Sequence, residues 1–109
     1  FTPLIKAAEQ SVWHDADNGF SRKVVSPPSG GLSAEVVHCT LDAYQMIAYA
    51  APSVPGHEHH LVMLSGTLSV NIGDEEHHLE AGDCLRYQLF GSSKFQTGVD
   101  PATYLIVLV

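Results

Sequence analysis

The hydrophobic positions of this chain recur mostly with the period of a strand. Thr67 to Ile72 alternates without a break, with Leu68, Val70 and Ile72 on one side and Thr67, Ser69 and Asn71 on the other. Just before it, Leu61 to Leu64 is a continuous apolar run of strand length, the pattern of a fully buried strand. Gly73-Asp74 follows the alternating segment, glycine first, which predicts a two-residue type II′ hairpin. Folding the chain back on that turn sets Ile72 against Glu75, Val70 against His77 and Leu68 against Leu79. His77 is therefore expected on the inward face beside Val70.

The same reading extends along the chain. Phe20 to Val25, Ala34 to Leu41, Gln45 to Ala50, Cys84 to Tyr87, Lys94 to Thr97 and Ala102 to Val109 read as further strands. In Gln45 to Ala50 one face carries Met46, Ala48 and Ala50 and the other Ile47 and Tyr49. Turn chemistry separates them: Asp15 to Gly19, Ser26 to Gly31, Ala51 to Pro55, Glu80 to Asp83, Phe90 to Ser93 and Gly98 to Pro101. Only Leu4 to Gln10 has weak helical spacing, enough for one or two turns of helix or a docked arm. About nine short strands with turns roughly every ten residues predict an all-β sandwich or barrel. With no helical crossover between strands, the sheets are expected to be antiparallel.

Chemistry concentrates ahead of the buried run, at His57-Glu58-His59-His60. Two residues apart in a strand, His57 and His59 project to one face, while His60 points the other way. Imidazoles projecting together can hold a metal or hydrogen-bond a small anionic ligand. His57 and His59 thus have three readings: polar residues facing solvent, effector contacts, or metal ligands with His77 as the third. Tyr44, Met46, Tyr49, Tyr87 and Phe95 are candidate pocket walls, each also readable as core or rim. Glu58 and Glu75 have no paired carboxylate at a fixed place, so the sequence carries no general acid–base pair.

At 109 residues a single domain is expected, with a core that needs no covalent staples. Five basic residues against twelve acidic give a net charge of −7, a surface that repels phosphate backbones. Cys39 and Cys84 make no disulfide framework and fit two half-buried thiols in a reducing cytosol. No apolar run is long enough to span a membrane. The chain opens on Phe1 rather than Met, so a fragment or processed product is expected, with a partner domain missing before Phe1.

From Pro55 onward the chain resembles the cupins, which are double-stranded β-helix, or jelly-roll, barrels. The matching segments are Met63-Leu64-Ser65-Gly66-Thr67-Leu68-Ser69-Val70 and Leu79-Glu80-Ala81-Gly82-Asp83, at matching separation. Val12-Trp13-His14-Asp15, Asn18 to Pro27, Ala34-Glu35-Val36-Val37, Thr40-Leu41, Leu85-Arg86-Tyr87 and Tyr104 to Leu108 are similar to one subgroup. Its members are C-terminal cupin domains of bacterial transcriptional regulators with a lambda-repressor-like helix-turn-helix at the N-terminus. The resemblance implies a cytoplasmic, non-catalytic domain that senses a small-molecule effector, dimerises, or both. DNA would be reached only through the separate N-terminal domain, and dimerisation would match two half-sites. The expected layout is an N-terminal arm over about residues 1–20 and a barrel over about residues 21–109.

Cupins that bind metal place two histidines, a glutamate and a later histidine in the barrel. Registered on Gly66, the glutamate position is His59, and two histidine positions fall near Ser53 and Ser93. Serine is not a usual ligand for zinc, iron, manganese or nickel, which favours a barrel without a cofactor. Aligning His57-x-His59 on the paired histidines instead leaves too short a strand before Gly66. The alternative, a stand-alone metal-dependent isomerase or dioxygenase, would use His57, His59 and His77 around a divalent transition metal. The candidate ligand contacts are accordingly His57, His59, His77, Tyr44, Met46, Tyr87, Ser93 and Phe95. The acidic surface yields a first prediction: this segment alone produces no mobility shift of duplex DNA at about 0.15 M salt. A retarded band under those conditions would contradict it.

Overall fold

The computed structural model describes residues 1–109. Ten strands run in chain order: β1 (Val12–Asp15), β2 (Phe20–Ser26), β3 (Glu35–Leu41), β4 (Met46–Tyr49), β5 (His57–Ser65), β6 (Thr67–Ile72), β7 (Glu75–Glu80), β8 (Cys84–Leu89), β9 (Ser93–Gln96) and β10 (Ala102–Leu108). They form a six-stranded sheet in the order β1-β2-β3-β10-β5-β8 and a four-stranded sheet in the order β4-β9-β6-β7. Every pairing is antiparallel. The two sheets face one another as a jelly roll, the all-β barrel expected from the strand pattern. No helix is long and apolar enough to cross a membrane.

The hairpin read from alternation is present in its predicted register, with Ile72 opposite Glu75, Val70 opposite His77 and Leu68 opposite Leu79. Gly73 has φ +58° and Asp74 has no positive φ, the combination of a type II′ turn. Along β5 the inward positions are His57, His59, Leu61 and Met63, so burial rises from the histidine end, where both imidazoles are part-exposed, to Leu61 and Met63 at 0% and 1% exposure. Leu41, Leu68, Val70, Ala102 and Tyr104 complete the closely packed end of the barrel.

Two turns close that end. Between β5 and β6 the chain leaves one sheet for the other at Gly66, whose φ is +77°. Its backbone lies against Pro101, and a β-carbon here would overlap the Pro101 carbonyl oxygen. Between β7 and β8, the Asp83 carboxylate accepts a hydrogen bond from the Glu80 amide at 2.8 Å. The turn then docks on β5: Gly82 N donates to the Met63 carbonyl and Met63 N to the Asp83 carbonyl, each at 2.9 Å.

Several expectations shift. The first twenty residues are not only an arm: Val12–Asp15 is an edge strand paired with β2, and Phe20 is core. The helical spacing of Leu4 to Gln10 yields one 3-10 turn, Ala7–Glu9. β5 begins at His57 rather than Leu61, because its polar outward positions pair with β8 and β10 as well as the apolar ones do. Cys39 is buried and Cys84 exposed, both free.

The Gly66 approach is testable. Gly66→Ala is expected to lower stability by at least about 2 kcal/mol, combining a left-handed backbone with a steric overlap. Gly91→Ala, with open space and no positive φ, should stay within about 0.5 kcal/mol. Equal urea midpoints for the two variants would remove Gly66 from its role as a corner.

Candidate functional site

At the end of the barrel away from Gly66 the two sheets do not close on each other. Between them lies a cavity of about 320 Å³, mostly apolar in its lining. The large sheet contributes to it in rows fixed by register. Arg22 sits opposite Cys39 and Cys39 opposite Tyr104; Val24 opposite Val37 and Val37 opposite Ile106. In the last row, Leu108 lies between Glu35 and His59, and His59 opposite Tyr87. The small sheet contributes Tyr49 opposite Ser93 and Ile47 opposite Phe95. Ser53, in the segment between β4 and β5, also borders the cavity.

The imidazoles and a phenol form its polar end. The His57 and His59 rings stand edge to face with centroids 5.0 Å apart. His59 Nδ1 lies 3.4 Å from the Tyr87 hydroxyl, where the tautomer decides which group donates. Burial lowers the pKa of His59 below the ordinary imidazole value, and the neighbouring His57 lowers it further. Burial raises Tyr87 and Tyr49 above the usual phenol value and pushes the Cys39 thiol up to about 12. At neutral pH the phenols and the thiol are therefore protonated and His59 is neutral. The His59–Tyr87 pair is thus an uncharged donor and acceptor, with Glu35 in the same row.

Of the residues singled out from sequence, His57, His59, Tyr87, Ser93 and Phe95 meet at this cavity, and Tyr49 joins them. Three do not. His77 has the predicted inward phase but stands on β7, the edge of the small sheet. Its row runs through Val70, wholly buried, before reaching Phe95. Two strand spacings, roughly 10 Å, thus separate it from the cavity wall. Its Nε2 lies instead 3.5 Å from a Glu75 carboxylate oxygen. Tyr44 is 75% exposed in the corner before β4, in a left-handed conformation (φ 56°). Met46 is half-exposed on the opposite face of β4 from Ile47 and Tyr49.

The metal reading through His57, His59 and His77 is corrected by that geometry. No three His, Cys, Asp or Glu side chains come together in a way that could hold a metal ion. The cavity offers two imidazoles, one of them bonded to Tyr87, the hydroxyls of Ser53 and Ser93, the Glu35 carboxylate, which does not come together with both imidazoles as a ligand set, and groups that hold their protons. Zinc, iron, manganese or nickel does not fit this donor set. Sequence reasoning missed Arg22, Glu35, Cys39 and Tyr104 as lining residues. The signal for Arg22 was present: it alternates with Phe20 and Val24, the apolar face of its strand.

The environment of His59 predicts a pH dependence. Its folded-state pKa lies below the unfolded value, so the unfolded chain takes up the proton first. Its contribution to stability is therefore full above the ordinary imidazole pKa and is lost as pH falls through that range toward the folded value. A histidine NMR titration should find His59 titrating below the ordinary value, with His57→Gln moving it partway back. A His59 that titrates at or above that value contradicts the placement.

No protein-family model matches the sequence, and no curated protein matches it. Solved structures do. An HTH_3 family transcriptional regulator from Vibrio cholerae superposes with TM-score 0.77 at 15% identity, over 85% of this chain and 52% of that one, so this chain spans about half its length. The Cupin_2 domain of an XRE family transcriptional regulator from Enterobacter cloacae gives TM-score 0.76 at 18% identity, over 83% of this chain and 95% of that one. The polyketide cyclase RemF from Streptomyces resistomycificus gives 0.75 at 12% identity, over 99% and 79%. Proteins with different printed functions thus share one architecture, and at these identities the likeness is one of fold. On the strength of its strand order, its glycine corners and these superpositions, the chain has the double-stranded jelly-roll fold of the cupins.

Proposed function

We propose that this chain is the small-molecule-sensing, non-catalytic cupin domain of a transcriptional regulator, with the cavity as its effector site. The observation that carries this reading is the polar end of the cavity. An imidazole and a phenol within hydrogen-bond reach of each other, both uncharged at neutral pH, share the cavity with two serines and an apolar wall, which is the composition of a recognition site. Neither a ligand set for a metal nor a pair of carboxylates accompanies them. The likeness to regulator domains from Vibrio cholerae and Enterobacter cloacae supports the regulatory assignment. The net charge of −7 supports a division of labour in which another domain contacts DNA.

A sensor for two half-sites works as a homodimer. The free edges of the large sheet, β1 and β8, and those of the small sheet, β4 and β7, carry the unpaired backbone groups that such a contact can use.

The test is a fragment screen read by thermal shift and by two-dimensional NMR. Compounds that bind are expected to move the resonances of His59, Tyr87, Ser93 and Phe95 and to leave those of Tyr44, Met46 and His77 in place. A bound compound at a hundredfold excess over its Kd adds about 2.7 kcal/mol of stability. Val37→Trp, which fills the cavity from β3, should abolish both signals while the strand pattern of the spectrum persists. Shifts that map outside the cavity, or that survive Val37→Trp, reject the reading.

A further inference from the structure

We propose that the cavity takes an organic monocarboxylate, with the carboxylate on the Arg22 guanidinium and the apolar body extending toward the His59–Tyr87 pair. This rests on the reading of the cavity as a ligand site and names the class of ligand.

Arg22 is the only permanent cation in the lining. On β2 it has the phase of Phe20 and Val24, opposite Cys39, and it borders the cavity while remaining solvent-exposed. The protein gives it no ion-pair partner, since every close ion pair in the structure joins a histidine to a glutamate. The Asp15 carboxylate accepts a 2.7 Å hydrogen bond from the Asn18 amide and makes no ion pair with Arg22. A guanidinium without an ion-pair partner at the solvent-exposed β2 side of an apolar cavity presents a two-pronged donor that matches a carboxylate.

The rest of the lining sets the ligand's polarity. Between Arg22 and the polar end lies a wholly apolar row, Val24–Val37–Ile106–Leu61, faced from the small sheet by Phe95. The far row contains Glu35 as well as His59 and Tyr87. Cys39 lies four residue steps along β3 from Glu35, roughly 13 Å of strand. A carboxylate placed at that end would meet the Glu35 charge and find His59 unprotonated. Anionic groups are thus attracted at one end and repelled at the other. A dianion such as phosphate would have a single cation to neutralise it. A dicarboxylate of matching length would put its second charge against Glu35.

The experiment uses hexanoate, its amide hexanamide and the dicarboxylate adipate, each titrated into the protein at neutral pH by NMR. Hexanoate is expected to bind about tenfold more tightly than hexanamide, the size of one charge-assisted contact. Adipate should bind more weakly than hexanoate. Arg22→Gln should bring hexanoate down to the affinity of hexanamide and leave hexanamide unchanged, while Arg22→Lys retains part of the preference. If hexanoate and hexanamide bind the cavity equally, or if Arg22→Gln keeps the preference, the monocarboxylate inference is overturned and the cavity remains a ligand site. If none of the three moves a cavity resonance, the site itself is overturned along with the inference.

Discussion

The backbone at Gly66 passes against Pro101 with no room for a β-carbon, and the position of the cavity follows from that contact. The chain can pass from the large sheet to the small one at that point only because no side chain stands between them. With the sheets joined there, Leu41, Leu61, Met63, Leu68 and Val70 pack to between 0% and 2% exposure around the joint. The turn at Gly82-Asp83 hydrogen-bonds Met63 on both sides and holds the same end from below. Nothing comparable closes the opposite end. There the inward residues of β5 are His57 and His59 instead of aliphatics, and the two layers remain apart. The barrel is thus tight where its glycines are and open where its histidines are.

Strand phase was legible in the sequence, and it placed more of the site than composition did. The alternation of Thr67 to Ile72 and the glycine-first turn placed His77 opposite Val70 correctly. Phase also put His57 with His59, and Ile47 with Tyr49, on the faces that line the cavity. What phase lacks is lateral distance. It states which face a residue occupies but not how many strands stand between that residue and another on the same face. His77 shares the inward face with Phe95, yet Val70 fills the space between them. The failure at Tyr44 is different in kind. Its left-handed backbone sits in a corner held by Thr97, whose hydroxyl donates to the Asp42 carbonyl and accepts from the Gln45 amide. That corner is a contact between residues far apart in sequence, and no local pattern encodes it. β1 was missed because Val12–Asp15 is an edge strand with three of its four residues exposed, so it has little apolar periodicity to read.

Charge is distributed in the opposite sense to hydrogen-bonding capacity. Histidine–glutamate pairs lie outside the cavity: His60 with Glu58 at 2.6 Å, His77 with Glu75 at 3.5 Å and His78 with Glu76 at 3.2 Å. The Glu75, His78 and Glu76 side chains are more than half-exposed, and contacts of that kind contribute little to stability in water. Inside, burial lowers the pKa of His59 and raises that of Tyr87, so these two stay uncharged, and the charges in the lining are those of Arg22 and Glu35.

Cys39 shows what this arrangement favours. It lines the cavity, lies opposite Arg22, and would be the natural nucleophile if the site performed covalent chemistry. The guanidinium does lower its pKa, but burial outweighs that effect and leaves the thiol at about 12. A thiolate is then scarce at neutral pH, and no imidazole stands across the strand from Cys39 to accept its proton, since its register partners are Arg22 and Tyr104. The same burial that disables the thiol keeps the Tyr49 and Tyr87 hydroxyls as donors and His59 as a neutral partner. One physical cause, desolvation between two sheets that do not close, keeps the Cys39 thiol protonated and preserves the hydrogen-bonding capacity of Tyr49, Tyr87 and His59.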